Sequence, residues 1–320
     1  MTSHIWTTLT RGDRDFDKDI NKRSVAAARK HLTGPYALHK KLGTLIRTDR
    51  PYYKERIDGI IGQFEETAEG IQEAPPMMPI PVGDMTIRIK YYTAALVLSK
   101  NRVEDEGGGL IQKLVPKISE RAIEKMEIDF QTLFFGNPTV YNPLRDLRDG
   151  VALGSTAHPA GPYGALSGNA FGAPTQLSET ALAQVVSSFM AVRDDNGDLA
   201  PIMATTFTLG VHPSKLQAAR QLVLSLSSTV DYKNSGVRNS ATVGGITWEV
   251  VPMLYSQNAN AWFVVADDDE GTGLTIVARK LPTAPKKIIR ENPEQIQYFG
   301  EMRYGMAATD WRRFFFSPGA

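Results

Sequence analysis

The sequence predicts an α+β chain in which a compact mixed domain carries long appendages that bury little of their own surface. Three observations predict it. A helical apolar period runs for more than twenty residues after position 110, and short apolar strands separated by turn residues fill the second half. Between Phe64 and Pro81 the stretch FEETAEGIQEAPPMMPIP holds four prolines and offers almost nothing to a core.

At 320 residues, 42% hydrophobic and 22% charged, the chain is long enough for a sizeable core. Its longest apolar runs, YYTAALVL and AWFVVA, fall well short of the roughly 18 residues that span a bilayer. The first residues, MTSHIWTTLTRGDRDFDKD, lack the basic-then-apolar pattern of an export signal. The absence of cysteine excludes disulfides, thiolate zinc sites and cysteine nucleophiles. A net charge of +1 gives no global case for nucleic-acid binding, but the charge is unevenly spread. Residues 1–60 hold thirteen Lys and Arg against seven Asp and Glu, whereas residues 61–90 hold five carboxylates against Arg88 and Lys90. A basic arm therefore precedes an acidic segment.

In chain order, residues 1–50 show no sustained period apart from a short helical pattern from Val25 to Leu42, which Gly34 and Pro35 interrupt. MTIRIKYYTAALVLS reads as a strand that leads from an exposed edge into a core. If the flanks of the proline-rich stretch pair as a hairpin of about 12 residues per arm, its tip projects about 40 Å. A two-stranded ribbon of that length is marginal alone in water, so it is expected to lie on something, most simply a neighbouring subunit. After the breaker EDEGGG, the residues Leu114, Ile118, Ala122, Met126, Phe130 and Leu133 recur at helical spacing. Pro116 places the regular start near Val115, with the proline in the first turn, and Gly136 with Pro138 supplies the stop.

Ser178 is positioned to cap the helix ETALAQVVSSFMAVR, DDNGD is a turn, TTFTLGV a strand, and HPSKLQAARQLVLSL a helix opened by Pro213. A polar loop then leads to the strands ITWEVVPML, AWFVVA and GLTIVAR. EQIQYFGEMRYGMAATDWRRFFFS reads as two extended strands joined near Gly305.

Candidate chemistry is sparse. Ser155, Thr156 and His158 fall together in GSTAHPAGPYG, but no strand-to-helix elbow of the G-x-S-x-G kind surrounds the serine. The five histidines show no H-x-x-x-H or H-E-x-x-H pair. DDNGD departs from a calcium loop, since its glycine falls at the fourth place and no glutamate occupies the twelfth. DDDEG reads as an acidic surface turn, with divalent-ion chelation as its alternative. GVHPSK lacks phosphate-loop spacing. WRRFFFS interleaves arginine with aromatics as single-strand nucleic-acid binders do, but reads first as a closing strand with a buried aromatic face. No cofactor and no metal is expected.

The order of arm, ribbon, long helix, mixed domain and returning strands resembles the major capsid proteins of tailed bacteriophages, the Hong-Kong-97-type fold. DGVALGSTAHP, FTLGVHPSKLQAARQLVLS and EMRYGMAATDWRRFFFSPGA are similar to passages of the major head subunits of Mu-like phages. The resemblance implies an N-terminal arm (1–60), an extended E-loop (61–92), a peripheral domain with the spine helix (93–146, closed by 290–320) and an axial domain (147–289). It implies pentamers and hexamers of an icosahedral shell around non-specifically bound double-stranded DNA, in a virion assembled in the host bacterial cytoplasm. A separate scaffolding protein and a portal are further implied partners, and a decoration protein is admitted; no membrane is involved.

Contacts between subunits are expected from the E-loop residues Phe64, Glu65, Glu66, Glu69, Pro75, Pro76, Met77, Met78 and Arg88, and from Lys40, Lys41 and Arg47 of the arm. The chain departs from the cross-linked member of this fold in having no lysine between residues 61 and 87, so cohesion is expected from burial and charge. Two alternatives stand beside this reading: an encapsulin-like compartment enclosing protein cargo, and an α/β hydrolase using Ser155 and His158.

Overall fold

A computed structural model describes residues 19, 21–26, 37–58, 81–99, 101–102, 105, 108–160, 165–195, 197–227, 246–267, 271–290 and 295–319. The elements run α1 (Leu38–Leu42), β1 (Gly43–Arg47), β2 (Tyr52–Asp58), β3 (Pro81–Arg88), β4 (Lys90–Ser99) and α2 (Gly108–Gln131), the last continued by a π-helical turn, Thr132–Gly136. There follow β5 (His158–Ala160), β6 (Ala165–Ser167), α3 (Glu179–Met190), β7 (Thr206–Val211), a 3₁₀ turn (Pro213–Lys215), α4 (Leu216–Ser227) and β8 (Thr247–Pro252). The chain closes with β9 (Trp262–Asp267), β10 (Leu274–Lys280), β11 (Lys286–Arg290), β12 (Gln295–Ala308) and β13 (Phe314–Ser317).

Two sheets share one core. The first is organised on β12, whose N-terminal half pairs with β11 and β4 and whose C-terminal half pairs with β10; β1 lies parallel on the far side of β10. The second has the order β13-β9-β7-β8, with β7 and β8 parallel and linked through α4. Between the sheets lie Met126, Phe130, Phe134 and Phe135 of α2 and its π turn, Ile276 and Met306 of the first sheet, and Phe263, Val265, Phe314 and Phe316 of the second. Phe135 stacks on Phe263 with ring centroids 3.9 Å apart.

The period-2 alternation of β9 and β13 sends the intervening residues, Trp262, Val264, Ala266 and Phe315, to the opposite face, where α3 and α4 cover them. Gly210 of β7 sits under Phe263, where an added Cβ would come within 2.0 Å of the ring.

The capped helix α3 begins as expected, with the Ser178 hydroxyl accepting from Ala181 N–H at 3.2 Å. α2 differs from expectation. It starts at Gly108 and runs through Pro116, because Ile111 and Val115 form a further turn of apolar surface against Leu98, Ile296 and Tyr298. Tertiary burial thus overrides the roughly 3 kcal/mol that an interior proline costs. The buried apolar stripe is Ile111, Val115, Ile123, Met126, Phe130 and Phe134: Met126 and Phe130 are buried as expected, whereas Leu114, Ile118, Ala122 and Leu133 are only half-buried.

The closing segment also differs. β12 passes straight through Gly305, and the turn lies at residues 309–313. Gly305 serves a close approach: a Cβ there would stand 2.3 Å from Arg88 O. MTIRIKYYTAALVLS is likewise two strands, β3 pairing with β2 and β4 pairing with β12. β4 does not enter a core along its length; only Leu98 is buried, and Tyr91 and Val97 face solvent.

Candidate functional site

The ribbon that the sequence places around the proline-rich stretch is present as the antiparallel pair β2–β3, with Tyr52 opposite Arg88 and Asp58 opposite Pro81. Its root does not float. Met85 and Ile87 are 1% and 2% exposed and pack on Val277 and Ala307, the face of the first sheet turned away from α2, with Ile46, Tyr53 and Leu147 around them. The described root therefore lies on the chain's own body, whereas residues 59–80 lie outside the described residues. Phe64, Glu65, Glu66, Glu69, Pro75, Pro76, Met77 and Met78 lie outside the described residues, as does most of the arm.

Of the remaining contact candidates, Arg88, Lys40 and Arg47 are exposed, whereas Lys41 forms an ion pair with Glu249 of the same chain. Among the described residues no contact joins these four into one patch; what the structure does gather is the base of the arm. α1 is pinned to α2 by Glu127, whose carboxylate accepts from Leu38 N–H and His39 N–H at 3.1 Å each and faces His39 Nδ1. Gln131 Nε2 donates to the same carboxylate at 2.5 Å, and Gln131 Oε1 accepts from Tyr255 N–H at 2.9 Å. The sequence carries a signal for this: Glu127 and Gln131 stand beside Met126 and Phe130 on the apolar stripe, and polar groups on such a stripe need partners.

A second feature that sequence reading missed is the clamp at the end of α2. The Arg145 guanidinium, 2% exposed, donates to the carbonyls of Leu133, Asn137, Pro138 and Val140 at 2.7–3.2 Å and to the Asp146 carboxylate. One planar fork thus ties the last helical turn to the loop after it, adding to the backbone bonds that Asn137 O and Pro138 O accept from Val140 N–H and Gly154 N–H.

The serine and histidine of GSTAHP are not brought together for catalysis. Ser155 Oγ accepts from Ala157 N–H at 3.2 Å, while His158 Nδ1 meets Asp149 at 2.7 Å and Nε2 meets Asn169 Oδ1 at 3.1 Å. His158 is fully buried and stacks on Trp311, 4.0 Å between centroids. Asn169 completes the knot by donating to Leu153 O and Trp311 O. Burial pushes the Asp149 carboxyl upward, but hydrogen bonds from His158 and Val151 N–H and the His158 charge outweigh it and hold the group below its usual range. The residues form a structural knot that ties the start of the second-sheet region to the closing segment.

DDNGD and WRRFFFS meet in another such knot. Asp195 bridges Arg148 and Arg312 at 2.6 Å each, and Arg312 Nε donates to Arg193 O. The FFFS end is β13, buried on both faces. Among the described residues no group of three His, Asp or Glu could hold a metal ion, and no helix is long and apolar enough to cross a membrane. Residues 268–270 of DDDEG lie outside the described residues.

Where β3 gives way to β4, a cleft of about 870 Å³ opens between the ribbon root, the C-terminal half of α2 and the loop after it. Arg88, Lys90 and Lys125 stand at it, and Tyr92 and Tyr304 stack inside it at 4.7 Å. Tyr304 donates to Asp129 at 2.7 Å, and Lys125 holds the other oxygen of that carboxylate at 2.6 Å. Burial and the Asp129 carboxylate push the Tyr304 phenol far above its ordinary value, which keeps it a donor.

The profile of a family described as phage capsid protein matches residues 84–315, from the ribbon root to β13. Among solved structures, the chain is similar to the capsid of a native GTA particle, with 14% identity and a TM-score of 0.54 over 89% of this chain and 90% of that one. It is similar also to the capsid of the cyanophage P-SCSP1u (10% identity, TM-score 0.53, 87% and 86% covered). A third likeness is to Mycobacterium phage Adephagia (10% identity, TM-score 0.51, 90% and 91% covered). At these identities the likeness is one of fold. No curated protein matches the chain.

Proposed function

Because the chain belongs to the phage capsid protein family and is a structural shell protein of the Hong-Kong-97-type fold, we propose that it is the major subunit of an icosahedral phage head. The observation that carries the reading is the family match itself, which runs unbroken from the ribbon through the long helix and both sheets to the last strand. In this reading residues 1–60 are the arm and 61–92 the E-loop. The peripheral domain is 93–146 with 290–320, and the axial domain is 147–289. Pentamers and hexamers close a shell around double-stranded DNA, with a separate scaffolding protein and a portal as partners, and the chain itself performs no catalysis.

The physics of a shell supports this division of labour. Many copies of one subunit must each bury more surface than a pairwise interface of about 1,600 Å² provides. Elements that leave the body supply that area. Pro75, Pro76, Pro79 and Pro81 limit the conformations open to the E-loop before docking and remove backbone donors, which lowers the ordering cost and discourages edge-to-edge aggregation. Met85, Ile87 and Tyr53 fix the root of the ribbon, and Glu127 fixes the root of the arm, so both appendages leave the body in set directions.

Replacing residues 66–82 with a short Gly-Ser turn tests the reading. The expected outcome is a folded subunit that builds no stable shells; normal particles from that variant contradict it.

A further inference from the structure

We infer that the exposed row of cations on α2, together with the cation-rich end of the arm that joins the body on the same helix, is the surface each subunit turns to packaged double-stranded DNA. The inference rests on the assignment of the chain as a shell subunit and names the residues that meet the contents.

The row follows from how the helix is buried. Between Ile111 and Gln131 the exposed residues are Lys113, Lys117, Arg121 and Lys125, every one a cation and each four positions from the next. Glu120, Glu124 and Asp129 are half-buried, and Glu127 is buried at the root of the arm. Lys113 and Lys117 engage no carboxylate among the described residues, whereas Arg121 meets Glu124 at 2.5 Å and Lys125 turns to the cleft, where Asp129 holds it at 2.6 Å. A helix-surface pair such as Arg121 with Glu124 is weak and yields readily to another anion. At about 1.5 Å per residue the row is about 18 Å long, and because a four-residue step overshoots the turn by about 40° it winds slowly across the uncovered side.

The arm adds to this charge. Residues 20–48 hold seven Lys and Arg and no Asp or Glu. They join the body through α1, which Glu127 fastens to α2 and on which Lys40 is exposed. The ribbon root lies on the other face of the first sheet, turned away from α2. The cations of arm and helix are therefore gathered on the α2 side of the body.

Symmetry and chemistry choose the partner. Subunits of a closed shell are related by rotations about axes that cross it, so every copy turns the same face inward. A row with two unpaired lysines binds weakly on one subunit, but repeated on each copy it holds a long polyanion firmly in sum. Double-stranded DNA, with one charge per about 1.7 Å of axis, is such a polyanion and is bound this way without regard to sequence.

Fluorescence anisotropy of the purified unassembled subunit with a short labelled duplex of mixed sequence tests the surface. K113Q/K117Q removes two cations, so the slope of log K against log salt is expected to shrink by about 1.8, and the affinity lost between about 50 and 200 mM salt to be about 12-fold smaller than in the wild type. Both lysines are exposed, so urea unfolding is expected to be unchanged, and shells are expected to form normally. K54Q/K286Q, which changes exposed cations of the ribbon and β11, is expected to leave the slope as it is. An unchanged slope for K113Q/K117Q, an equal fall for K54Q/K286Q, or no binding by the wild type at the lower salt overturns the inference. Failure of K113Q/K117Q to build shells overturns it too, assigning the row to a neighbouring subunit or an acidic scaffold segment while the shell reading stands. That reading fails separately, if the wild type builds no shells.

Discussion

The carboxylate of Glu127 and the imidazole of His39, 88 positions apart in sequence, meet inside the protein and fix where the N-terminal arm leaves the body. Among the described residues His39 Nε2 has no hydrogen-bond partner, while Nδ1–H donates to the acceptor carboxylate of Glu127. Leu38 and Leu42, each 1% exposed, drive α1 into the shared core beside Met126 and Phe130.

Glu127→Ala leaves Leu38 N–H, His39 N–H and His39 Nδ1–H buried without an acceptor. The expected loss is about 2–4 kcal/mol in urea unfolding of the unassembled subunit. Glu127→Gln, which keeps one acceptor oxygen, is expected to lose less. A change under about 0.5 kcal/mol for the alanine variant contradicts the pinning.

Arg145→Lys keeps the charge and removes the planar fork. An ammonium cannot reach the four carbonyls and Asp146 together, so a loss of about 2–3 kcal/mol is expected by the same measurement. Near-wild-type stability shows that charge alone, and not the fork, holds the loop after α2.

Asp149 gives an acid limb to the stability curve. Its carboxyl is held below the unfolded value, so its contribution is present above about pH 4 and is lost as pH falls through the lower folded value. Asp149→Asn is expected to flatten the decline of stability measured by urea titration between pH 5 and pH 2.5. An unchanged slope assigns that decline to other carboxylates. Ser155→Ala, which removes only an acceptor for Ala157 N–H, is expected to change stability by about 1 kcal/mol or less.

Gly305→Ala tests the ribbon root. The added methyl would meet Arg88 O, so the root must shift, at an expected cost of about 1–3 kcal/mol and with loss of shell formation. Gly210→Ala, pressed against Phe263 in the other sheet, is expected to cost a similar amount. Wild-type melting together with wild-type particles for Gly305→Ala contradicts a fixed root.

The sequence made some of this plain and hid the rest for physical reasons. TTFTLGV, AWFVVA and GLTIVAR are strands because their apolar runs are buried on both faces, and Ser178 is a cap because its side chain has one local thing to do. Pro116 misled because its local cost is visible in sequence and the compensating burial of Ile111 and Val115 is not. Gly305 misled because a glycine required for close approach of Arg88 O looks the same as one required for a turn. The capsid resemblance was carried by element order and short passages, whereas the cleft joins residues 86–92, 125–133, 142–147 and 304–306, which no local pattern links.

The most direct test is electron microscopy of the purified full-length chain, concentrated at neutral pH and low salt. The account predicts closed shells, or free rings of five or six copies, that vanish when residues 66–82 are replaced. A particle that stays a single copy at every concentration, by microscopy and by sedimentation, contradicts it.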